Sequence, residues 1–200
     1  MNLLTQNSKI KKTSKHFDVN VFNFSIPAYK SKSGEITCPL AGDCVKFCYA
    51  QKGFYKLSQK WAELKFEATK KDSFINDMIK DIKEKKAEFV RVHDSGDYYS
   101  KEYLLKWFEI AKKMPDIKFY SYTNNINMIK KLKNIPENYD FIFSDSGKQS
   151  HLIDKKSDRH TKIFKSLEDL EKAGYKNASE YDLYSTKWFN DTKKVGLVFH

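Results

Sequence analysis

Three cysteines stand within eleven residues of this chain, in the text Thr37-Cys38-Pro39-Leu40-Ala41-Gly42-Asp43-Cys44-Val45-Lys46-Phe47-Cys48-Tyr49-Ala50, and they are its only cysteines. The spacing is C-x5-C-x3-C, with Pro39 and Gly42 supplying the bends that let Cys38, Cys44 and Cys48 wrap one centre. Soft thiolate sets select zinc, Cu(I) or iron–sulfur clusters. An odd number of cysteines cannot all pair internally, and a disulfide framework is not expected in a reducing compartment. A structural zinc needs a fourth ligand, which one of His16, His93, His151, His160 or His200 could supply. The C-x5-C-x3 step also occurs in CCCH zinc fingers, with a histidine where Cys48 stands here. A 4Fe–4S cluster on three cysteines leaves one iron open to an external ligand.

A second group follows at Arg91-Val92-His93-Asp94-Ser95-Gly96-Asp97. Glu88 to His93 reads as a strand. Side chains alternate across a strand, so Val90 and Val92 suit a helix-packed face, while Phe89, Arg91 and His93 point to the concave side. An inward Arg91 can bind a carboxylate or phosphate and an inward His93 can move a proton, which makes these two the candidate catalytic residues. The alternative is an Arg91 paired with a buried acid and a structural His93. Asp94-Ser95-Gly96 is echoed by Asp145-Ser146-Gly147, although Asp, Ser and Gly are ordinary turn residues. Tyr120 and Tyr122 share a face and line the same cavity in this reading. Lys148 lacks a phosphate-loop context, and His151 and His160, in a polar stretch, are expected at the surface.

The elements that must position these groups alternate between strand and helix. Residues 1–18 read as a flexible basic arm, and 19–200 as a single α/β domain. Val19 to Ile26 is the first strand, and a long irregular loop from Ala28 to Leu57 carries all three cysteines. Ser58 caps a helix with Trp61, Leu64 and Ala68 on one face, and Phe74 to Ile82 forms a second apolar helical stripe. Ser100 caps a third helix that stops at Pro115. Further strands are expected at Ile117–Tyr122, Asp140–Phe143 and Val195–Phe199, with short helices over Asn125–Leu132 and after Ser166. In the last of these, Asp169 completes a capping pattern and Gly174 a C-cap. Such alternation favours parallel βαβ units with right-handed crossovers. Sites in such sheets lie at the carboxyl ends of the strands. The cysteine loop and both Asp-Ser-Gly turns therefore belong to one rim.

The net charge is +11. It is almost all lysine, since Arg91 and Arg159 are the only arginines, whereas bidentate phosphate and base contacts favour arginine. The charge is compatible with an anionic substrate. No run of eighteen apolar residues occurs, so no membrane span is expected. The basic, polar N-terminus has no apolar signal core, which makes cytoplasm the expected location.

Thr37-Cys38-Pro39, Cys44, Cys48-Tyr49-Ala50 and Arg91 to Asp97, together with His160 to Gly174 and the ending Val195 to His200, resemble the phage-encoded "gene product 88" family. A three-cysteine loop after the first strand, Phe47 just before the last cysteine and a glycine–acid turn after the second core strand also resemble radical S-adenosylmethionine (SAM) enzymes. That wider resemblance implies a partial (β/α) barrel of parallel strands. It implies a 4Fe–4S cluster on Cys38, Cys44 and Cys48, and SAM on the open iron. Phe47, Tyr49, Ser95, Gly96 and Asp97 would be the cofactor-binding residues. A radical reaction and an electron donor such as a flavodoxin follow from the same resemblance. The superfamily's usual spacing is C-x3-C-x2-C, and this chain departs from it. The reading from another class is a nucleic-acid-binding module with structural zinc.

Overall fold

The computed structural model describes residues 2–51 and 54–198, apart from the side chains of Phe47, Tyr49 and residues 54–57. Its centre is a sheet of seven parallel strands curled into a half-barrel. In chain order these are β1 (Val21–Phe24), β2 (Phe89–Val92), β3 (Lys118–Thr123), β4 (Tyr139–Ser144), β5 (His160–Phe164), β6 (Lys176–Asn177) and β7 (Lys194–Val198). Their spatial order is β1-β2-β3-β4-β5-β7-β6. The expected α/β architecture with a partial barrel is therefore the architecture observed.

One face of the sheet carries Phe24, Val90, Val92, Phe119, Phe141 and Phe143 and packs under helices. These are α3 (Phe54–Lys70), α4 (Phe74–Glu84) and α5 (Lys101–Lys113), which contribute Phe66, Phe74, Met78, Ile82, Leu104 and Trp107. Ser100 starts α5 by accepting the Tyr103 N–H, a side-chain cap for one of the donors a helix start leaves unpaired. The other face carries Val21, Phe89, Tyr120, Ile142 and Val195. It is covered by α1 (Ser8–Phe17) and by the segment around a 3-10 turn at Asp182–Ser185. Shorter helices are α2 (Cys44–Phe47), α6 (Ile126–Lys130) and α7 (Leu167–Lys172). Ser166 caps α7, and Gly174 follows it at φ +70°.

Four expectations need correction. Residues 2–18 are not a free arm. Leu3 and Leu4 are buried, their N–H groups donate to the Asp81 carboxylate at 3.0 and 2.7 Å, and Asn7 caps α1. Lysines conceal this helix in the sequence, because only Ile10 and Thr13 are buried from it. The helix expected to begin at Ser58 begins at Phe54. His160 is fully buried in β5, where its ring nitrogens meet the Asp158 carbonyl and the Tyr175 hydroxyl, each at 3.0 Å. His93 leaves the strand alternation. Its φ of +69° turns the side chain toward α5, where Nε2 meets the Tyr103 hydroxyl at 2.8 Å. The last strand's expected end, Phe199, lies outside the described residues.

Candidate thiol site at the carboxyl rim

The cysteine loop leaves β1 and is sewn to both Asp-Ser-Gly turns. At its start, the Thr37 carbonyl accepts the Asp97 N–H at 2.9 Å and the Thr37 hydroxyl donates to the Pro27 carbonyl at 2.6 Å. Further along, the Leu40 carbonyl accepts the Lys148 N–H at 3.0 Å, and Ala41 bridges Gly147 in antiparallel fashion. The two turns follow β2 and β4, and β3 ends between them. Asn124, just after β3, packs on Gly147 so tightly that a Cβ there would lie 2.2 Å from its Oδ1. A Cβ on Gly42 would lie 2.7 Å from the Ser146 carbonyl. The second turn, in sequence the weaker copy, is thus as much a part of the rim as the first.

The thiols sit within electrostatic reach of one another. Burial pushes the Cys38 thiol up to about 12, with Asp97, Cys48 and Cys44 acting the same way and the Tyr29 N–H, 3.4 Å from Sγ, opposing. Burial also raises Cys44, against hydrogen bonds from the Gly42 backbone and Ser146. Uncompensated thiolates are therefore disfavoured here, and a cationic centre would reverse that balance. Among the described residues, no three His, Cys, Asp or Glu side chains are gathered closely enough to hold one metal ion. The side chains of Phe47 and Tyr49, which flank Cys48, lie outside the described residues. Beside Cys44 opens a polar cleft of 460 Å³ lined by Gly42, Asp43, Asp145, Ser146, Gly147, Lys148 and Ser150.

The first turn is consumed by the fold. The Ser95 hydroxyl donates to the Ile26 carbonyl at 2.7 Å, and Gly96 stands at φ +84° against the Ile26 side chain. Asp97 is buried, and its carboxylate accepts from Tyr98 N–H (2.8 Å), the Thr123 hydroxyl (2.7 Å) and Asn124 N–H (2.9 Å). Burial nevertheless raises its pKa above the ordinary carboxylate value.

Arg91 lies on the other face, in a polar row that the strand register sets out as Asn23, Arg91, Tyr120 and Asp140. Its guanidinium meets Asp182 at 3.2 Å and Asp94 at 3.4 Å and lies over the Tyr122 ring. Lys9 and the Tyr120 hydroxyl complete the surroundings of Asp182 at 2.6 and 2.9 Å. Tyr120 and Tyr122 thus share a face with Arg91, and the acid paired with it is buried. Asp182 carried no sequence signal, since it stands alone between tyrosine and leucine in an aperiodic stretch.

His93 gives a pH prediction. Burial drives its imidazole down to about 3, so the native state keeps it neutral, whereas the unfolded chain protonates it below about pH 6.5. Its contribution to stability is complete above that pH and is lost as the pH falls toward 3, by at most about 1.4 kcal/mol per unit. Urea denaturation at pH 7 and pH 5 is expected to show about 2 kcal/mol less stability at pH 5 from this group. His93→Asn, which tolerates positive φ, should flatten the difference. An unchanged pH dependence in that variant would refute the assignment.

The family model described as "Gene product 88" matches residues 1–197. A "Gene 88 protein" of Mycobacterium phage D29 is 31% identical over 101 residues, covering 44% of this chain and 42% of the relative. A "Gene 88 protein" of Mycobacterium phage L5 is 30% identical over 101 residues, with the same coverage. The chain therefore spans about two fifths of the length of the curated relatives it matches. No solved structure matches. Among the described residues, no helix is long and apolar enough to cross a membrane.

Proposed function

The chain belongs to the Gene product 88 family of bacteriophage proteins, and we propose that Cys38, Cys44 and Cys48 hold an iron–sulfur cluster at the carboxyl rim of its half-barrel. The observation that carries this reading is the suturing of the cysteine loop to both Asp-Ser-Gly turns. It sets three mutually interacting thiols from one loop at the end of a parallel sheet where sites form. The donor chemistry fits a multi-iron cluster, which takes each cysteine on a different iron, rather than a single ion, for which the three side chains are not gathered closely enough. All three donors are soft, and the Tyr29 N–H and Ser146 hydroxyl point hydrogen bonds at sulfur, a lever that tunes such clusters. Zinc would need a fourth ligand. Three of the five histidines are otherwise engaged, with His93 on Tyr103, His160 on Tyr175 and His16 stacked on Tyr181.

Three cysteines leave one iron open, and we read SAM as its ligand. When bound, the pair would supply reductive cleavage of the sulfonium, with an external donor such as a flavodoxin furnishing the electron. The residues of this chain have definite parts in that reading. Ser95, Gly96 and Asp97 brace the cysteine loop against Ile26 and the end of β3, with both side chains spent inside the fold. Arg91 ties the turn to the sheet through Asp94, and His93 stays neutral against Tyr103. Both are positioning residues here. The polar cleft beside Cys44, lined by Lys148 together with Asp43 and Asp145, is the substrate approach in this reading.

The test is the electron paramagnetic resonance spectrum of the reduced, anaerobic protein with and without SAM. An open iron predicts a changed spectrum on adding SAM. An unchanged spectrum would leave a cluster without a SAM site and overturn the radical reading. Each of Cys38→Ala, Cys44→Ala and Cys48→Ala should lose the signal.

A further inference from the structure

The strongest feature outside the rim is the exposed side of α1. Its sequence, Ser-Lys-Ile-Lys-Lys-Thr-Ser-Lys-His-Phe, contains no acid. Ile10 and Thr13 face inward. The helical period then sets Lys11, Lys12, Lys15 and His16 on the opposite arc, and all four are exposed. Among the described residues none of the three lysines is held in an ion pair. Aromatic groups continue the arc. The His16 ring stacks on Tyr181 at 3.8 Å and 12°, its Nε2 meets the Tyr184 hydroxyl at 3.3 Å, and the Lys176 ammonium lies 4.1 Å over the Tyr184 ring. Acids nearby are Asp18 and Glu88, which share a cleft with Lys11 and Lys15, and Glu180 beside Tyr181.

We infer that this face binds a single-stranded nucleic acid. Unpaired lysines along one helix supply sites for backbone phosphates. The stacked histidine and tyrosine offer a ring surface for an unpaired base, which a duplex does not present. The chain's net charge of +11 does not by itself indicate such a partner. Concentration of unpaired positive charge on an acid-free helix next to stacked aromatics does. The inference is independent of the thiol site, and protein lacking any metal is expected to retain the binding.

The experiment is fluorescence anisotropy of the full chain with a labelled mixed-sequence single-stranded DNA and its duplex, from about 50 to 200 mM salt. Binding should favour the single strand and weaken steeply with salt. The Lys11→Ala, Lys12→Ala, Lys15→Ala triple variant should lower the magnitude of the log–log salt slope by about 2. Tyr181→Ala should weaken the single strand about tenfold with little effect on that slope. Circular dichroism checks the fold of both variants. No affinity at low salt, tighter binding to the duplex, or an equal loss from a control triple on the far helices (Lys80→Ala, Lys83→Ala, Lys112→Ala) would each overturn the inference.

Discussion

Replacing Asp182 with asparagine is expected to cost about 3–5 kcal/mol of unfolding free energy, the range for removing one partner from a buried charge cluster. Asp182 is fully buried and accepts from Arg91, Lys9 and Tyr120, while its N–H donates to Thr13 at 2.8 Å. Burial opposes its ionisation, but Arg91 and Lys9 outweigh burial and hold its carboxyl below the ordinary value. The stabilisation is complete above about pH 3.9, the unfolded value, and is lost as the pH falls through the lower folded value. The substitution strands two cations against the inner face of the sheet. It also removes the Lys9 ion pair, one of two ties between α1 and the 3-10 turn at Asp182–Ser185, so the loss should appear both in denaturant midpoint and in amide exchange of residues 8–17. Pairing Asp182→Asn with Arg91→Met should recover part of the cost, because a neutral pair leaves less charge unpaired. A single variant within about 1 kcal/mol of the parent would refute the central place given to Asp182.

Gly96→Ala is the second change expected to have a large effect. Its φ of +84° disfavours any side chain, and an added Cβ would lie 2.2 Å from Ile26 Cγ1 and 3.3 Å from the Ile26 carbonyl oxygen. Overpacking and strained backbone each cost on the order of 1–3 kcal/mol. The clash falls on the contact between the exit of β1 and the first turn, where Ser95 and Ile26 exchange two hydrogen bonds at 3.1 and 2.7 Å. The variant should therefore loosen the cysteine loop as well as lower the melting temperature. Adding Ile26→Ala removes the side-chain clash and leaves the φ penalty, the carbonyl contact and a cavity, so thiol accessibility is the more telling readout. Faster reaction of Cys38 with a thiol reagent in Gly96→Ala is the expected result. Parent-like stability and thiol reactivity together would show that the turn does not brace the loop.

The legible part of this molecule was its periodic part. Alternation in Glu88 to His93 placed Arg91 opposite Val90 and Val92, as observed, and alternating strands and helices placed both Asp-Ser-Gly turns on the rim with the cysteines. Legibility ended where long-range contacts replaced local pattern. At His93 the same alternation failed, because one left-handed residue after the strand reverses the side chain. His160 looked like surface because its flanks are polar, although two hydrogen bonds satisfy its ring within the fold. Leu3 and Leu4 had no periodic neighbours to mark them as core. They are recruited by Asp81, far along the chain. Asp182 had no local pattern at all, and only its position beneath α1 makes it the partner of Arg91. The cysteine spacing raised the expectation of a metal centre. The loop's brace, built from Thr37, Asp97, Leu40 and Lys148, appears only in three dimensions.

The most direct test of the thiol site is elemental and sulfide analysis of the full chain purified without oxygen. A cluster on the three cysteines predicts about four iron and four acid-labile sulfide per chain, with broad visible absorbance. It also predicts loss of both in a protein whose three cysteines are replaced by alanine. Stoichiometric zinc without sulfide, or a metal-free protein with three freely titrating thiols after reconstitution with iron and sulfide, would contradict it.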